Sequence, residues 1–287
     1  MSVLNKLEEY KHWRDEKLEK ASGSVEDCFV SIADPFNLSY KEKEKAKELF
    51  ARNNFALFQL RNQKDYIDAF IKINNQFGLF NYDKHLYSQV NGIAKITQTN
   101  SQEKADFIPY TNKQINWHTD GYYNPIKQRI RSFSLLCVNK AISGGKSAWM
   151  DHRILYILLR EKNPEIAEAL THPKAMTIPE HVVDGVTRRQ RSTGPIFFID
   201  ENSDQLCMRY TQRKKNVEFF NSSEIKHAVK ELNEVLSANP KYHFELLFEP
   251  GQGIVCNNVI HRREEFIDSS ETKRLLLRGR YFDKISL

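Results

Sequence analysis

Residues 274–282 read RLLLRGRYF, and this stretch indicates how the chain folds. Side chains alternate between the two faces of a β-strand, so Arg274, Arg278 and Arg280 would share one face with Leu276 and Phe282. Three arginines on one face of a core strand make sense where that face lines a pocket for carboxylates, which arginine binds through paired hydrogen bonds. The alternative is an edge strand with solvated arginines, and the spacing alone favours neither.

Further short runs rich in β-branched and aromatic residues precede this strand, with turn signals between them. They cover residues 132–138, 195–199, 205–210, 242–249 and 253–257. Many short strands at irregular spacing are typical of an antiparallel sandwich or jelly roll. Helical patterns at 151–170 and 222–238 interrupt the strands, so the fold class that we predict is mainly β with flanking helices.

The N-terminal part of the chain has a different pattern. Residues 3–21 and 64–78 show helical patterns, and Ser39 precedes the strongly helix-forming run YKEKEKAKELFARNN. A short apolar strand is predicted at 55–60. We predict one domain over residues 1–287, with a helical N-terminal decoration at 1–84 and the catalytic β core at 85–283.

Composition and charge exclude several classes of protein. The 43 Lys and Arg residues exceed the 37 Asp and Glu residues by six, but basic residues concentrate only at 188–191 and 209–215. Without a continuous basic face, no nucleic-acid partner is expected, and small anionic ligands suit the mild positive charge better. The start MSVLNKLEEYKHW is not a signal peptide, no apolar run is long enough to cross a bilayer, and the four scattered cysteines form no CxxC pair. We expect a soluble, cytoplasmic protein with a small-molecule substrate and no membrane partner, and a homo-oligomer stays open.

Two His-x-carboxylate pairs are candidates for metal ligands. His118-Thr119-Asp120 is followed at once by Gly121, so its strand ends in a turn where side chains can converge. His243-Phe244-Glu245 lies within a longer strand pattern, where a polar outer edge is the simpler interpretation. His261 ends the run GQGIVCNNVIH and is the candidate third ligand. Two histidines and one carboxylate form the facial triad of non-haem Fe(II) oxygenases, which leaves positions open for a co-substrate and O₂.

These pieces, in this order, resemble the taurine dioxygenase (TauD/TfdA) family of Fe(II)- and 2-oxoglutarate-dependent oxygenases over about residues 85–283. The matching set is His118-Thr119-Asp120, Gly144-Gly145-Lys146-Ser147 with Trp149, Asn257 to His261, and Arg274 with Arg278. The resemblance implies a distorted double-stranded β-helix, which is a cupin-like jelly-roll core. It also implies that His118, Asp120 and His261 bind Fe(II).

The resemblance implies a 2-oxoglutarate site as well. Ser147 and Arg274 would bind the distal carboxylate, and Arg278 would reach the carboxylate nearer the metal. The chain departs from the family at His261-Arg262-Arg263, where His-Gly-Arg is frequent, and this puts the local turn in question. The presence of Asp120 disfavours a halogenase, because related halogenases have a small residue there.

Substrate residues are harder to predict. Residues 118–123, with Pro125 and Gln128, also resemble the γ-butyrobetaine and trimethyllysine hydroxylases, which hold a quaternary ammonium in an aromatic cage. Tyr122, Tyr123 and Tyr210 are the candidates for such a cage, and simple packing beside the metal strand is the alternative. Arg209 and the 188–191 segment would instead face an anionic substrate, and Asn116 is a further candidate.

We therefore expect an oxygenase that hydroxylates or otherwise oxidises an aliphatic C–H bond of a small polar metabolite, such as an amine, an amino acid or a sulfonate. Succinate and CO₂ would be released. One alternative is a cupin-like metal enzyme that does not use 2-oxoglutarate. The other is a non-catalytic jelly-roll protein that binds a metal or another ligand.

Overall fold

The computed structural model describes residues 6–21, 23–61, 65–84, 91–99, 108–213, 215–238 and 240–287. The chain divides into two compact units. We call them the sheet unit (Ser22–Ile115, Ile130–Trp149 and Phe244–Leu287) and the helical unit (Met1–Ala21, Asn116–Arg129 and Met150–His243). The single domain and its two predicted parts stay a prediction.

Helices begin where the sequence offers caps. The Ser39 hydroxyl accepts a hydrogen bond from the Glu42 amide while the Glu42 carboxylate accepts one from the Ser39 amide, which confirms the predicted helix start. The Asp65 and Asp151 side chains cap two more helices. The helices are α1 Leu7–Lys20, α2 Tyr40–Asn53, α3 Tyr66–Gln76, α4 His152–Lys162, α5 Pro164–Leu170 and α6 Ser223–Ala238. No helix in the described ranges is both long and apolar enough to span a membrane.

The single helix predicted over 151–170 is wrong, because the chain breaks it at Asn163. This residue has an extended conformation, with φ −162°, and its side chain accepts a hydrogen bond from the Glu165 amide. Pro164 follows at the first helical position, where its missing N–H costs nothing. A proline also disfavours helical geometry in the residue before it, so α4 ends and α5 begins here.

The strands of the sheet unit are β1 Phe29–Ile32, β2 Phe55–Leu60, β3 Ile93–Ile96, β5 Ser132–Asn139, β6 Ser143–Gly144, β7 Ser147–Met150, β15 Phe244–Leu246, β16 Gln252–Cys256, β17 Ile260–Arg263, β18 Phe266–Ile267 and β19 Leu275–Tyr281. Six of them form one sheet, in the order β1-β2-β16-β5-β19-β3. The segment before residue 85 therefore supplies two strands of this sheet as well as helices. Strand β19 pairs on both sides, with β5 and β3. It is an interior strand, and the edge-strand alternative is excluded.

Adjacent residues of β19 pack into different cores, as alternation requires. Leu277 joins the cluster that includes Leu49 of α2 and Phe70 of α3. Leu276 joins the cluster that contains Phe55, Trp149 and Phe244. Trp149 stacks on Phe244 and meets Phe55 edge to face, with ring centroids 6.5 and 5.6 Å apart. Arg278, two residues after Leu276, projects to the side of this aromatic core.

The helical unit contains α1, α4, α5 and α6 with short strands. Its strands are β4 Ile115–His118 (whose first residue belongs to the sheet unit), β8 Met176–Ile178, β9 His181–Val183, β10 Val186–Arg189, β11 Ser192–Gly194, β12 Phe197–Asp200, β13 Gln205–Met208 and β14 Glu218–Phe219. Strands β9 and β10 form a hairpin around Asp184 and Gly185, both with positive φ. Strands β12 and β13 form a second antiparallel pair.

A buried ion pair ties α1 to the start of α4. Lys17 Nζ lies 2.6 Å from Asp151 Oδ2, and the two side chains are 5% and 2% exposed. Arg153 Nη2 contacts the same oxygen at 3.0 Å. Burial opposes ionisation of Asp151, but the Arg153 and Lys17 cations outweigh it and hold the pKa of this carboxyl well below its usual range.

We expect Asp151→Asn to lower the free energy of unfolding by about 3–5 kcal/mol. The amide keeps the helix cap but leaves two cations without their buried counter-charge, which is the costly way to break such a pair. Urea denaturation measures the change. The control is Glu44→Gln, which removes an exposed partner of Lys47 and should have little effect. Equal denaturation midpoints for Asp151→Asn and the unmodified protein would contradict this prediction.

Candidate active site

His118 is the last residue of β4, and the chain around it is fixed by backbone hydrogen bonds. The Thr119 amide donates to the Tyr210 carbonyl at 3.0 Å, and the Tyr210 amide donates to the Thr119 hydroxyl at 3.1 Å. The chain then turns at Gly121, which has a φ of 65°. Asp120 is thereby held at the strand end with 5% of its surface exposed. The predicted convergence of side chains at a Gly turn is present.

Both candidate histidine ligands are oriented in the same way. His118 Nδ1 lies 2.9 Å from the Asn116 carbonyl oxygen, and His261 Nδ1 lies 3.0 Å from the Val259 carbonyl oxygen. A carbonyl can only accept, so each Nδ1 carries the proton and donates it. This leaves the Nε2 lone pair of each neutral ring available for a metal, which is how ligand histidines are usually oriented.

Within the described ranges, His118, Asp120 and His261 are the group of three residues that could hold a metal ion. Each offers one ligand atom, and these atoms all lie within 4.8 Å of one another. His118 Nε2 is 3.9 Å from Asp120 Oδ1. Two imidazoles and one carboxylate suit non-haem Fe(II), and their chemistry fits that ion better than a closed structural zinc site.

The competing pair is engaged elsewhere. The Glu245 carboxylate accepts a hydrogen bond from Arg262 at 2.6 Å. The His243 ring packs against Trp117, with centroids 5.1 Å apart. The strand in this segment is also shorter than the pattern at 242–249 predicts, since it covers only Phe244–Leu246. These contacts give the pair structural roles, as the simpler interpretation predicts.

The Gly144-Gly145 turn leads directly into Ser147, the first residue of β7. Both glycines have positive φ, 70° and 78°. A Cβ on Gly144 would lie 2.4 Å from the Glu265 carbonyl oxygen, and one on Gly145 would lie 3.3 Å from Arg274 Nε. Only glycine therefore fits this turn, whose backbone packs against the Arg274 side chain. Ser147 is 8% exposed.

Arg274 is a buried cation whose guanidinium contacts no carboxylate among the described residues. The Asp268 carboxylate accepts a hydrogen bond from the Arg274 amide at 3.0 Å and acts on the guanidinium charge only from a greater distance. Arg274 is 4% exposed, its guanidinium carbon lies 5.1 Å from the centre of the Phe266 ring, and burial lowers its pKa to about 10. Within the described ranges, its guanidinium forms no hydrogen bond and has no carboxylate within 4 Å. A buried charge of this kind is costly unless an anion pairs with it. The site therefore fits the carboxylate of a bound ligand.

Two neighbouring arginines have partners for their guanidinium groups. Arg263 lies over the same Phe266 ring at 4.8 Å, but it donates to the carbonyls of Thr111 and Lys113. Arg280 forms an ion pair with Asp83. Arg278 is half-buried. Arg263 and Phe266 were not predicted as site residues, and the departure at His261-Arg262-Arg263 was the available signal.

Arg209 and Tyr210, both predicted to contact substrate, are buried in contacts with the protein. The Arg209 guanidinium donates to the carbonyls of Met176 and Ser192, each at 3.0 Å, and burial lowers its pKa to about 10. Tyr210 is 0% exposed, and its hydroxyl donates to Asn233 Oδ1 at 2.7 Å. Their substrate roles stay predictions.

The other three candidate substrate residues are accessible. Tyr122 and Tyr123 are half-buried and meet edge to face, with ring centroids 5.3 Å apart. The Tyr122 ring lies 6.4 Å from the ring of His118. Asn116 is exposed, and its carbonyl orients His118. The structure thus brings the tyrosine pair beside a candidate metal ligand.

Comparison with curated proteins finds two kinds of relative. The chain is 31% identical over 173 residues to a uridine-5'-phosphate dioxygenase from Amycolatopsis sp, a match that covers 58% of this chain and 60% of that protein. It is 28% identical over 166 residues to a trimethyllysine dioxygenase from Meyerozyma guilliermondii, covering 55% of this chain and 40% of that protein. The matches therefore span about 60% of the first relative and less than half of the second.

Comparison with solved structures shows the fold. A putative alpha-ketoglutarate-dependent taurine dioxygenase from Burkholderia xenovorans aligns with a TM-score of 0.62 at 12% sequence identity, covering 92% of this chain and 88% of that chain. Proteins of this type have a jelly-roll core, so the predicted fold class is confirmed. The sequence model of the taurine catabolism dioxygenase TauD, TfdA family matches residues 16–280. The chain therefore belongs to the TauD/TfdA family.

Proposed function

We propose that this protein is an Fe(II)- and 2-oxoglutarate-dependent oxygenase that hydroxylates an aliphatic C–H bond of a small polar metabolite. The reaction consumes the substrate R–H, 2-oxoglutarate and O₂, and it releases R–OH, succinate and CO₂. One oxygen atom enters the product and the other enters succinate. Family membership and the His118, Asp120 and His261 group support this proposal.

The observation that carries the proposal is the orientation of the two histidines. Each is locked by a hydrogen bond from Nδ1 to a carbonyl two residues earlier in the chain, so neither ring must reorient when a metal binds. Ligand histidines usually donate their second ring N–H to a partner of this kind. In this assignment Asp120 supplies the single carboxylate, and the bound iron supplies the activation of O₂.

The co-substrate assignment rests on the sheet unit. Arg274 would pair with the distal carboxylate of 2-oxoglutarate, and the Ser147 hydroxyl would donate to the same group. Arg278, further along β19, would reach the carboxylate nearer the metal. A Cβ at Gly145 would lie 3.3 Å from Arg274 Nε, so a larger residue in the Gly144-Gly145 turn would crowd the Arg274 side chain.

The substrate is proposed only as a class. The names of the two curated relatives contain one anionic compound, uridine-5'-phosphate, and one cationic compound, trimethyllysine. Those names describe the relatives and do not decide the charge of the substrate here. Cytoplasmic location, oligomeric state and the expected lack of nucleic-acid and membrane partners stay predictions.

A metabolite screen tests the proposed function. Purified protein with Fe(II), 2-oxoglutarate and ascorbate is offered amines, amino acids, sulfonates and phosphate esters, and succinate is measured. We expect one compound class to stimulate succinate formation and to gain one oxygen atom by mass spectrometry, with no product when O₂ is excluded. Product formation that does not require 2-oxoglutarate would favour the cupin-like alternative. Failure to bind Fe(II) at all would favour a non-catalytic jelly roll.

A further inference from the structure

Two arginines of the helical unit lie against the tyrosine pair beside His118. Arg213 Nη1 donates to the Tyr122 hydroxyl at 3.1 Å. The guanidinium carbon of Arg189 lies 5.4 Å from the centre of the Tyr123 ring. Because the two rings are themselves in contact, the four side chains form one group, which we call the Arg–Tyr cluster.

Among the described residues, the two positive charges of the Arg–Tyr cluster have no carboxylate in contact with them. In the described ranges, neither arginine has a carboxylate within 4 Å, and the buried Nε of Arg189 has no hydrogen-bond partner. Arg189 donates only to the Pro179 carbonyl, at 3.1 Å. Burial, with the nearby Arg213 cation, lowers the pKa of Arg189. Like charges held together and partly desolvated cost free energy unless an anion joins them.

The arrangement also argues against a quaternary ammonium. An aromatic cage binds such a cation through the faces of its rings. Here the face of Tyr123 already meets the Arg189 guanidinium, and the Tyr122 hydroxyl accepts from Arg213. A second cation at this place would be repelled by both arginines. The predicted cage of Tyr122, Tyr123 and Tyr210 also lacks its third wall, since Tyr210 is completely buried.

We propose that Arg189 and Arg213 bind the anionic group of the substrate and so determine its charge. This inference rests on the proposed function, because it assigns a substrate class to the same site. The anion is a phosphate, phosphonate, sulfonate or carboxylate, all of which present oxygens to paired guanidinium groups. The tyrosines would pack against the body of the substrate between that anion and the metal ligand His118.

Binding without turnover tests the proposal. The protein is loaded with Mn(II) and N-oxalylglycine, which keep the metal and 2-oxoglutarate sites filled but unreactive. Methyl phosphate, methanesulfonate, acetate and tetramethylammonium are then titrated by calorimetry at constant ionic strength. We expect at least one anionic probe to bind more tightly than tetramethylammonium. Arg189→Gln and Arg213→Gln should each weaken that probe about 10- to 100-fold, which is typical for loss of a charged hydrogen bond.

Two further variants make the outcome specific. Arg213→Lys keeps the charge and should retain part of the affinity. Arg14→Gln removes an arginine of the same unit that pairs with Glu161 at 2.7 Å and lies outside the predicted substrate segments, so it should leave anion affinity unchanged. Preference for tetramethylammonium, or equal anion affinity in all variants, overturns the proposal, and so does a lack of binding by every anionic probe. These titrations need no turnover, so they can be interpreted even if the succinate screen fails. The succinate screen can likewise succeed whatever the titrations show.

Discussion

Replacing His118 or His261 by alanine is expected to reduce Fe(II) affinity at least about 100-fold and to abolish succinate formation. Mutating a residue that only orients a metal ligand typically costs about 10- to 100-fold, and these substitutions remove the ligand itself. The histidine that remains keeps its Nδ1 on a backbone carbonyl, so it offers only Nε2 to the metal and does not replace the lost ligand. Anaerobic titration with Fe(II) measures the affinity.

The chain contains its own control for this experiment. His243 belongs to the other His-x-carboxylate pair, at the same spacing, but its ring packs on Trp117. His243→Ala should leave Fe(II) affinity unchanged. In the presence of 2-oxoglutarate, the intact protein should also develop a weak metal-to-ligand charge-transfer band that the His118 and His261 variants lack. Iron affinity that survives both substitutions would refute the assigned centre.

The second large effect is expected at Arg274. Arg274→Met should weaken 2-oxoglutarate binding by about 2–5 kcal/mol, because removing one partner of a buried, hydrogen-bonded charge pair typically costs this much. The free energy of unfolding without 2-oxoglutarate should change little, because the buried Arg274 guanidinium has no hydrogen bond or carboxylate within 4 Å to lose among the described residues, and an apolar chain of similar length replaces it. Calorimetry with 2-oxoglutarate and urea denaturation measure the two quantities.

Arg280→Met is the matched control on the same strand. Arg280 is paired with Asp83, so its loss leaves a carboxylate without a partner and should destabilise the protein. Its effect on 2-oxoglutarate affinity should be small. We therefore expect opposite results for the two variants. Arg274→Met should lose affinity for 2-oxoglutarate, and Arg280→Met should lose free energy of unfolding. The reverse pattern, or unchanged 2-oxoglutarate affinity in Arg274→Met, would remove the co-substrate assignment.

Local chemistry accounts for what could be predicted from the sequence. The capping box at Ser39 and the cap at Asp151 depend on residues within four positions, and both are present. The predicted strand at 274–282 is found at Leu275–Tyr281, because alternation is a property of the strand itself. The break at Asn163 was also local, and it was missed because the apolar pattern continues through Pro164 while the backbone cannot.

The contacts of the arginines in the last strand could not be predicted from the sequence, because those contacts involve residues that are distant in the chain. Arg280 forms an ion pair with Asp83, nearly two hundred positions away. Arg274 instead packs on Phe266 and the Gly145 turn, and its guanidinium contacts no carboxylate among the described residues. The same holds for the tyrosines. The sequence alone does not distinguish the roles of Tyr122, Tyr123 and Tyr210. In the fold, Tyr210 is buried and bonds to Asn233, whereas Tyr122 accepts a hydrogen bond from Arg213 and Tyr123 packs against Arg189.

By itself, the sequence determined the class of chemistry. The order of His118, Asp120, Ser147, His261 and Arg274 along the chain can be compared with a family without any coordinates. The tertiary structure decided which charges stay without a partner. Neutralisation depends on what lies within a few ångströms, and only the fold brings Asp83 to Arg280 while leaving Arg274, Arg189 and Arg213 without a described carboxylate. Those remaining charges are the basis of the two anion sites that we propose.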